Sequence, residues 1–194
     1  NVIAEKKWGE VVGGDRLAGD DEALVVRSFA NNTKDWILGR LATEELTDAK
    51  GARVRLRRMY YDGAPFEGLS LGEIARGNLS REEGWVADGA FVLQTASQYD
   101  PDGNVIETRD ARGGGRLFGW DSATRAFVVR EGVKTGTRVL TQQAVYDPAL
   151  GTVTSLTGFN GAVSSFQYDV HGRVVTIARP GDTLAMPTLR YSYE

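Results

Sequence analysis

Apolar residues in this chain come in short runs and seldom at helical spacing. "RVRLRR" (Arg53 to Arg58) alternates arginine with valine and leucine, a period of two that predicts a strand with one solvated face. Farther along, "NVIET", "AFVVR", "TVTSL" and "RVVTI" are β-branched or aromatic runs bounded by turn residues, and each reads as a strand. "DWILG" and "EGWVADGAF" read the same way, so Trp36 and Trp85 are expected to pack in a core. "TEELTDAK" fits a short helix as readily as a strand. No run of about 18 apolar residues occurs, so no transmembrane helix is predicted, and the chain does not open on a signal peptide.

What separates the strands repeats. Aromatic-aspartate pairs begin comparable segments: "SQYDPDGNVIETRDARGG" from Ser97, "FGWDSATRAFVVREGVKTG" from Phe118, "AVYDPALGTVTSLTGFNG" from Ala144 and "FQYDVHGRVVTIARPG" from Phe166. "YSYE" ends the chain as a truncated fifth copy. The aromatics Tyr99, Trp120, Tyr146, Tyr168 and Tyr193 are spaced by 21, 26, 22 and 25 residues, a period that marks a structural repeat. In "DPDG", Asp100 can bond back onto the turn, Pro101 presets a type I φ, and Gly103 accepts the left-handed position. "DVHG" has Asp169 and Gly172 at the same offsets. "DPALG" inserts one residue between Asp147 and Gly151, and "DSATR" after Asp121 lacks the glycine and reads as a degraded copy. Each unit is therefore strand, tight turn, strand, then a looser link such as "GGG" or "RPGD". One hairpin is marginal alone, so the units must pair edge to edge, with the aromatic rings stacked on one another across the sheet.

The pattern "YDxxGR/N", a β-branched strand and a Gly-rich link resembles the YD repeat of Rhs proteins, found also in the B and C components of bacterial toxin complexes and in teneurins. The resemblance covers residues 91–194 as a repeat array. Residues 1–90 resemble the strand-rich region that precedes such repeats, through "NNTKDWILGRLATEELTDAKG" and "RMYYDGAPFEGLSLGEIARGNLSREEGW", and this favours strand for "TEELTDAK". The implied fold is all-β: antiparallel hairpin repeats forming a strip or spiral, part of a hollow shell. The implied role is non-enzymatic encapsulation of a C-terminal polypeptide cargo, of the same or a partner chain, in a secreted bacterial toxin-like protein. The self-cleaving aspartate segment and variable toxin of that family are not found in this chain, which is expected to be shell wall. It starts at Asn1 rather than methionine, as a piece of a longer protein would.

Composition agrees. Glycine supplies 24 of 194 residues, well above the usual share of roughly 7%, as many turns require. Net charge is −3 with 25% charged residues, and no basic run is interleaved with aromatics, so nucleic acid is an unfavoured partner. Cysteine is absent, which removes disulfides and thiolate metal sites. The isolated strip should expose strand edges and self-associate.

Candidate chemistry is sparse. "GLSLG" (Gly68 to Gly72) matches a Gly-x-Ser-x-Gly elbow, but Ser70 follows a turn-like "YYDGAPFE" and precedes "EIARG", broken by Gly77. The only histidine, His171, stands where other copies have Asp102, Ala123 or Ala149, so a hydrolase using Ser70 and His171 is a remote reading. Oxygen ligands alone would have to hold a cation, from Asp100 and Asp102 or from Asp15, Asp20, Asp21 and Glu22, without calcium-loop spacing. "GGG" (Gly113 to Gly115) reads as a flexible link, and Asn31 and Asn78 fit glycosylation sequons. The tryptophans Trp8, Trp36, Trp85 and Trp120 would suit sugar stacking only if exposed, which leaves an adhesion or carbohydrate-binding module as the alternative. No cofactor, metal or catalytic residue is assigned.

Overall fold

In the computed structural model, residues 1–9, 13–14, 21–87 and 89–194 are described, and these form strands and turns without a helix. Fourteen strands follow one another in the sheet in chain order. They are β1 (Ala4–Lys7), β2 (Ala23–Asn32), β3 (Ile37–Asp48), β4 (Arg53–Tyr61), β5 (Leu79–Ala87), β6 (Ala90–Tyr99), β7 (Val105–Asp110), β8 (Gly115–Trp120), β9 (Val128–Thr135), β10 (Arg138–Asp147), β11 (Thr152–Thr157), β12 (Val163–Tyr168), β13 (Val174–Ala178) and β14 (Leu189–Arg190). The paired neighbours run antiparallel. The chain divides into two compact units, Asn1–Tyr99 with Thr108–Gly113, and Asp100–Glu107 with Gly114–Glu194.

In the first unit "TEELTD" is the end of β3, and Ala49 and Lys50 turn the chain after it. Tertiary pairing decides it, because β3 is bonded on both sides, to β2 and to β4. Its acids meet arginines across the ladder. Glu44, 9% exposed, accepts from Arg27 Nε at 3.0 Å and Arg55 Nη2 at 2.8 Å. Arg27 Nη2 also reaches Glu5 on β1 at 3.2 Å, and Arg57 reaches Glu82 on β5 at 2.6 Å. An alternating-charge row thus crosses five strands, the sheet form of opposite-charge cross-strand pairing. The Arg27 hydrogen bond, chiefly, holds the Glu44 carboxyl below its ordinary range, against the opposing effect of burial.

The arginines of "RVRLRR" are not confined to one solvated face. Arg55 and Arg57 join the acid row, while Arg58 lies 3.7 Å from the Phe91 ring centroid and Arg53 lies 5.6 Å from that of Trp85. Val54 is 57% exposed and Leu56 is buried. Both faces of the strand are therefore mixed, with acids and rings accounting for the arginines.

The main apolar cluster is small: Ala30, Ala42, Met59, Tyr61 and Ile74, with Ile37, Leu41 and Leu79 against it. Ile74 comes from the long connection between β4 and β5, folded back by one carboxylate. Asp62 accepts backbone N–H groups from Ala75, Arg76 and Gly77 through Oδ2 and from Asn78 through Oδ1, at 2.7 to 3.0 Å. Burial opposes the charge, but these four donors outweigh it and hold the Asp62 carboxyl below the usual range. Gly68 lies in the same connection with φ +87°, and a Cβ there would stand 2.7 Å from Tyr60 Cβ, so only glycine fits.

Among the described residues no large side chain is fully buried. Within each unit the strands pair in chain order and are held mainly by contacts in the plane of the sheet. Replacing Asp62 with alanine removes the four acceptor contacts that hold Ile74 over the cluster. Discounted for partial exposure, the loss is about 2 kcal/mol, read as a lower denaturation midpoint, with faster hydrogen exchange at Ala75 to Asn78.

Candidate functional site

The repeat positions occupy strand ends. Tyr99, Trp120, Tyr146 and Tyr168 sit at or next to the last residues of β6, β8, β10 and β12. Their recurring partner is a backbone carbonyl of the preceding strand. Tyr99 Oη donates to Leu79 O at 2.8 Å, Trp120 Nε1 to Val105 O at 2.9 Å, Tyr168 Oη to Val153 O at 2.7 Å, and Tyr193 Oη to Val174 O at 2.7 Å. This corrects the expected ring-on-ring ladder. Adjacent copies lie two strands apart, farther than stacking reaches, whereas the neighbouring strand presents a carbonyl. Tyr146 differs: its ring stacks on Phe127, with centroids 4.9 Å apart and planes at 21°.

The aspartates fasten the turns. Asp100 Oδ1 accepts from Asp102 N and Asn104 N, and Asp169 Oδ1 accepts from His171 N and Arg173 N, all at 2.9 to 3.0 Å. In both turns the glycine N–H returns to the aspartate carbonyl, with Gly103 at φ +90° and Gly172 at +77°. Asp147 accepts from Ala149 N and Leu150 N, and Gly151 N–H closes that wider turn onto Asp147 O at 2.8 Å. "DSATR" is less degraded than its sequence suggests. Arg125 takes the left-handed position at φ +56°, and the Asp121 carboxylate accepts from Thr124 N, Thr124 Oγ1, Ala126 N and Phe127 N. Those bonds, Phe127 N–H foremost, pull the Asp121 carboxyl far below its ordinary range.

Three further turns of this kind depart from the aromatic-aspartate period in the low twenties. Tyr61 donates its Oη to Leu41 O at 2.9 Å and is followed by the Asp62 clamp; the signal was the "YD" inside "YYDG", 38 residues before Tyr99. Asp48 and Asp110, at the ends of β3 and β7, build the same Asp-x-x-Gly turn without an aromatic. Lys50 N and Ala52 N bond Asp48 Oδ1, Arg112 N bonds Asp110 Oδ1, and Gly51 and Gly113 sit at φ +78°. Gly113 is thus a turn residue and Gly115 opens β8, so "GGG" is not a free link.

Ser70 is exposed in a bend, with neither a strand leading into it nor a helix after it, so the elbow geometry is missing. His171 is an exposed turn residue whose N–H serves Asp169. Asp100 is already committed to its turn, and among the described residues no group of three His, Asp or Glu is placed to hold a metal. Asp15 and Asp20 lie outside the described residues. Trp36 corrects the expected core packing: it caps the β2–β3 hairpin at φ +58° and is 79% exposed. Its apolar neighbours continue into β3, while the side chain itself projects from the tip. Trp85 and Trp120 are half-buried, and Lys6 Nζ stands 3.9 Å from the Trp8 ring centroid. In the second unit a hollow of about 440 Å³ is lined by Phe118, Tyr146, Leu156, Phe166 and Tyr168 among others.

Solved structures with this fold include the crystal structure of TcdB2-TccC3-Cdc42, which matches 81% of this chain and 11% of its own at 15% identity, with a TM-score of 0.66. A Tc holotoxin pore from Photorhabdus luminescens, carrying a TccC3 mutation, matches 89% and 10% at 17% identity and a TM-score of 0.50. The crystal structure of TcdB2-TccC3-TEV matches 89% and 10% at 16% identity and a TM-score of 0.50. No family model and no curated protein matches the chain. The chain spans about a tenth of the length of these solved chains. The likeness is one of fold: an antiparallel strip of the kind that builds part of those toxin-complex chains.

Tyr168→Phe should cost about 1 kcal/mol, because it leaves Val153 O without its donor, while Tyr146→Phe should stay within about 0.5 kcal/mol because the ring contact survives. Urea denaturation of both variants checks this. Acid is expected to loosen the turns. Asp62, Asp100, Asp121 and Asp169 all have folded pKa values below the ordinary 3.8, so their stabilisation is present above that value and is lost as pH falls through the folded values. The thermal midpoint should hold steady from pH 7 to about pH 5 and drop between about pH 4 and pH 2. Asp121→Asn should lower it at pH 7 and flatten that drop.

Proposed function

We propose that this chain is a wall segment of an Rhs or toxin-complex shell, a non-enzymatic component that surrounds a polypeptide cargo of its own or a partner chain. The observation carrying this reading is the architecture: fourteen strands paired in strict chain order, without a fully buried large side chain among the described residues. A globular enzyme or binding domain buries one sheet face against a second layer. A wall leaves both faces available, one toward solvent and one toward contents. The shared fold with TcdB2-TccC3 chains supports the same reading. In it, the aromatic-aspartate positions are structural, adjoining repeats of the same shell pair with the strip, and the protein is exported from a bacterium as part of a larger polypeptide.

One observation favours a second reading, an extracellular adhesion or carbohydrate-binding module. Trp36 is 79% exposed at a hairpin tip, where an aromatic face can meet a sugar ring or another protein.

The test of containment is protease protection. The longer protein bearing this segment is expected to shield its cargo from proteinase K until the wall is denatured by urea. Cargo digested as fast within the assembly as alone would refute containment. A glycan array separates the second reading: binding that disappears with Trp36→Ala would favour adhesion, and the wall reading predicts no such binding.

A further inference from the structure

Phe66 stands in the connection between β4 and β5 at φ +67°, a region where a bulky side chain is an outlier that only strong surroundings sustain. Gly63 and Gly68 take left-handed positions on either side of it, so the chain uses glycine nearby and a phenyl ring here. That ring has a partner: the Arg109 guanidinium carbon on β7 lies 3.5 Å from its centroid. Phe66 N–H also donates to Ser97 O on β6 at 3.3 Å. The connection leaves β4 and returns as β5, yet its tip is tied to the two strands beyond, β6 and β7.

The rest of this connection is pinned without the tip. Leu69 N–H donates to Tyr61 O at 2.8 Å, and the Asp62 carboxylate holds the N–H groups of residues 75–78. The tip is therefore not needed to close the connection, and the strain at Phe66 is offset where the ring meets Arg109. Arg109 lies in the stretch of β7 that belongs to the first unit with Thr108–Gly113, whereas residues 105–107 belong to the second. The tip grips the strand just past the point where its membership changes.

We propose that the tip of the β4–β5 connection is a strained latch on β7. While the ring lies under Arg109, residues 108–110 stay with the first unit. When that contact opens, Phe66 relaxes to negative φ and the second half of β7 is free to open locally. The latch is a property of the first unit and stands whether or not the wall reading holds.

Amide hydrogen exchange of the 194-residue chain, read residue by residue, tests it. Phe66→Gly suits the backbone but removes the ring, so the amides of residues 108–110 should exchange about fivefold faster. Residues 75–78, held by Asp62, should keep their rates. Arg109→Gln should give the same acceleration, and combining it with Phe66→Gly should add nothing further. Phe66→Tyr keeps a ring under the guanidinium and should exchange as the unaltered chain does. If Phe66→Gly fails to fold, Phe66→Leu takes its place with the same expectation. Unchanged exchange at residues 108–110 once the ring is gone overturns the proposal, as does equal acceleration in Phe66→Tyr. Additive acceleration in the double variant overturns it too, and so does acceleration spread evenly over β2 and residues 75–78, the mark of a general loss of stability.

Discussion

Strands that pair in chain order around so small an apolar cluster cannot lean on a large hydrophobic core, and the other contacts follow from that. The largest apolar cluster centres on five buried residues, too few to offset the ordering of a chain this long by burial alone. The stabilisation has to be found in the plane of the sheet and at its edges. Three kinds of contact supply it: the backbone ladder, charge rows such as Glu5–Arg27–Glu44–Arg55, and aromatic side chains tied to the neighbouring strand. The ladder is generic. The other two set register, because sliding a strand by one residue would put Arg27 and Glu44 on opposite faces.

The strand ends show why the repeat has its two conspicuous letters. An aromatic with a polar tip spans from its own strand to a carbonyl on the preceding strand, and the aspartate beside it turns the chain back. Trp120 shows that the requirement is a donor on a large ring rather than tyrosine itself, since its indole N–H reaches Val105 O as the phenols reach theirs. Arg125 makes the parallel point for glycine: with the Asp121 carboxylate bonded to four donors, a non-glycine residue is held in the left-handed region. Position and hydrogen-bonding capacity are what the repeat preserves.

Much of the fold was legible in the sequence because turns are local. Asp100 with Gly103, and Asp169 with Gly172, carry their geometry within four residues, and the structure contains those bonds. Features of longer range are less legible from local pattern alone. Whether "TEELTD" becomes strand depends on arginines 17 residues before Glu44 and 11 after it. The Trp36 side chain projects from a hairpin tip although its neighbours are apolar, because a turn position outweighs local hydrophobicity. Asp62 acts on donors 13 to 16 residues away, a spacing no turn rule anticipates.

The same physics bears on how far such a fold can drift in sequence. Identity to the solved toxin-complex chains is only 15 to 17%, while the matched fold covers 81 to 89% of this chain. A packed core ties many positions to one another's volumes, so substitutions there are constrained in groups. A strip of strands paired in chain order couples few positions: a turn aspartate, a residue able to adopt positive φ, and a donor ring at the strand end. Between them, face residues answer only to cross-strand neighbours and can change charge or size in pairs, as the arginine-glutamate rows could be exchanged for others. Low identity with a shared fold is therefore the expected state of this architecture, and recognition from sequence has to key on sparse turn chemistry rather than on overall similarity.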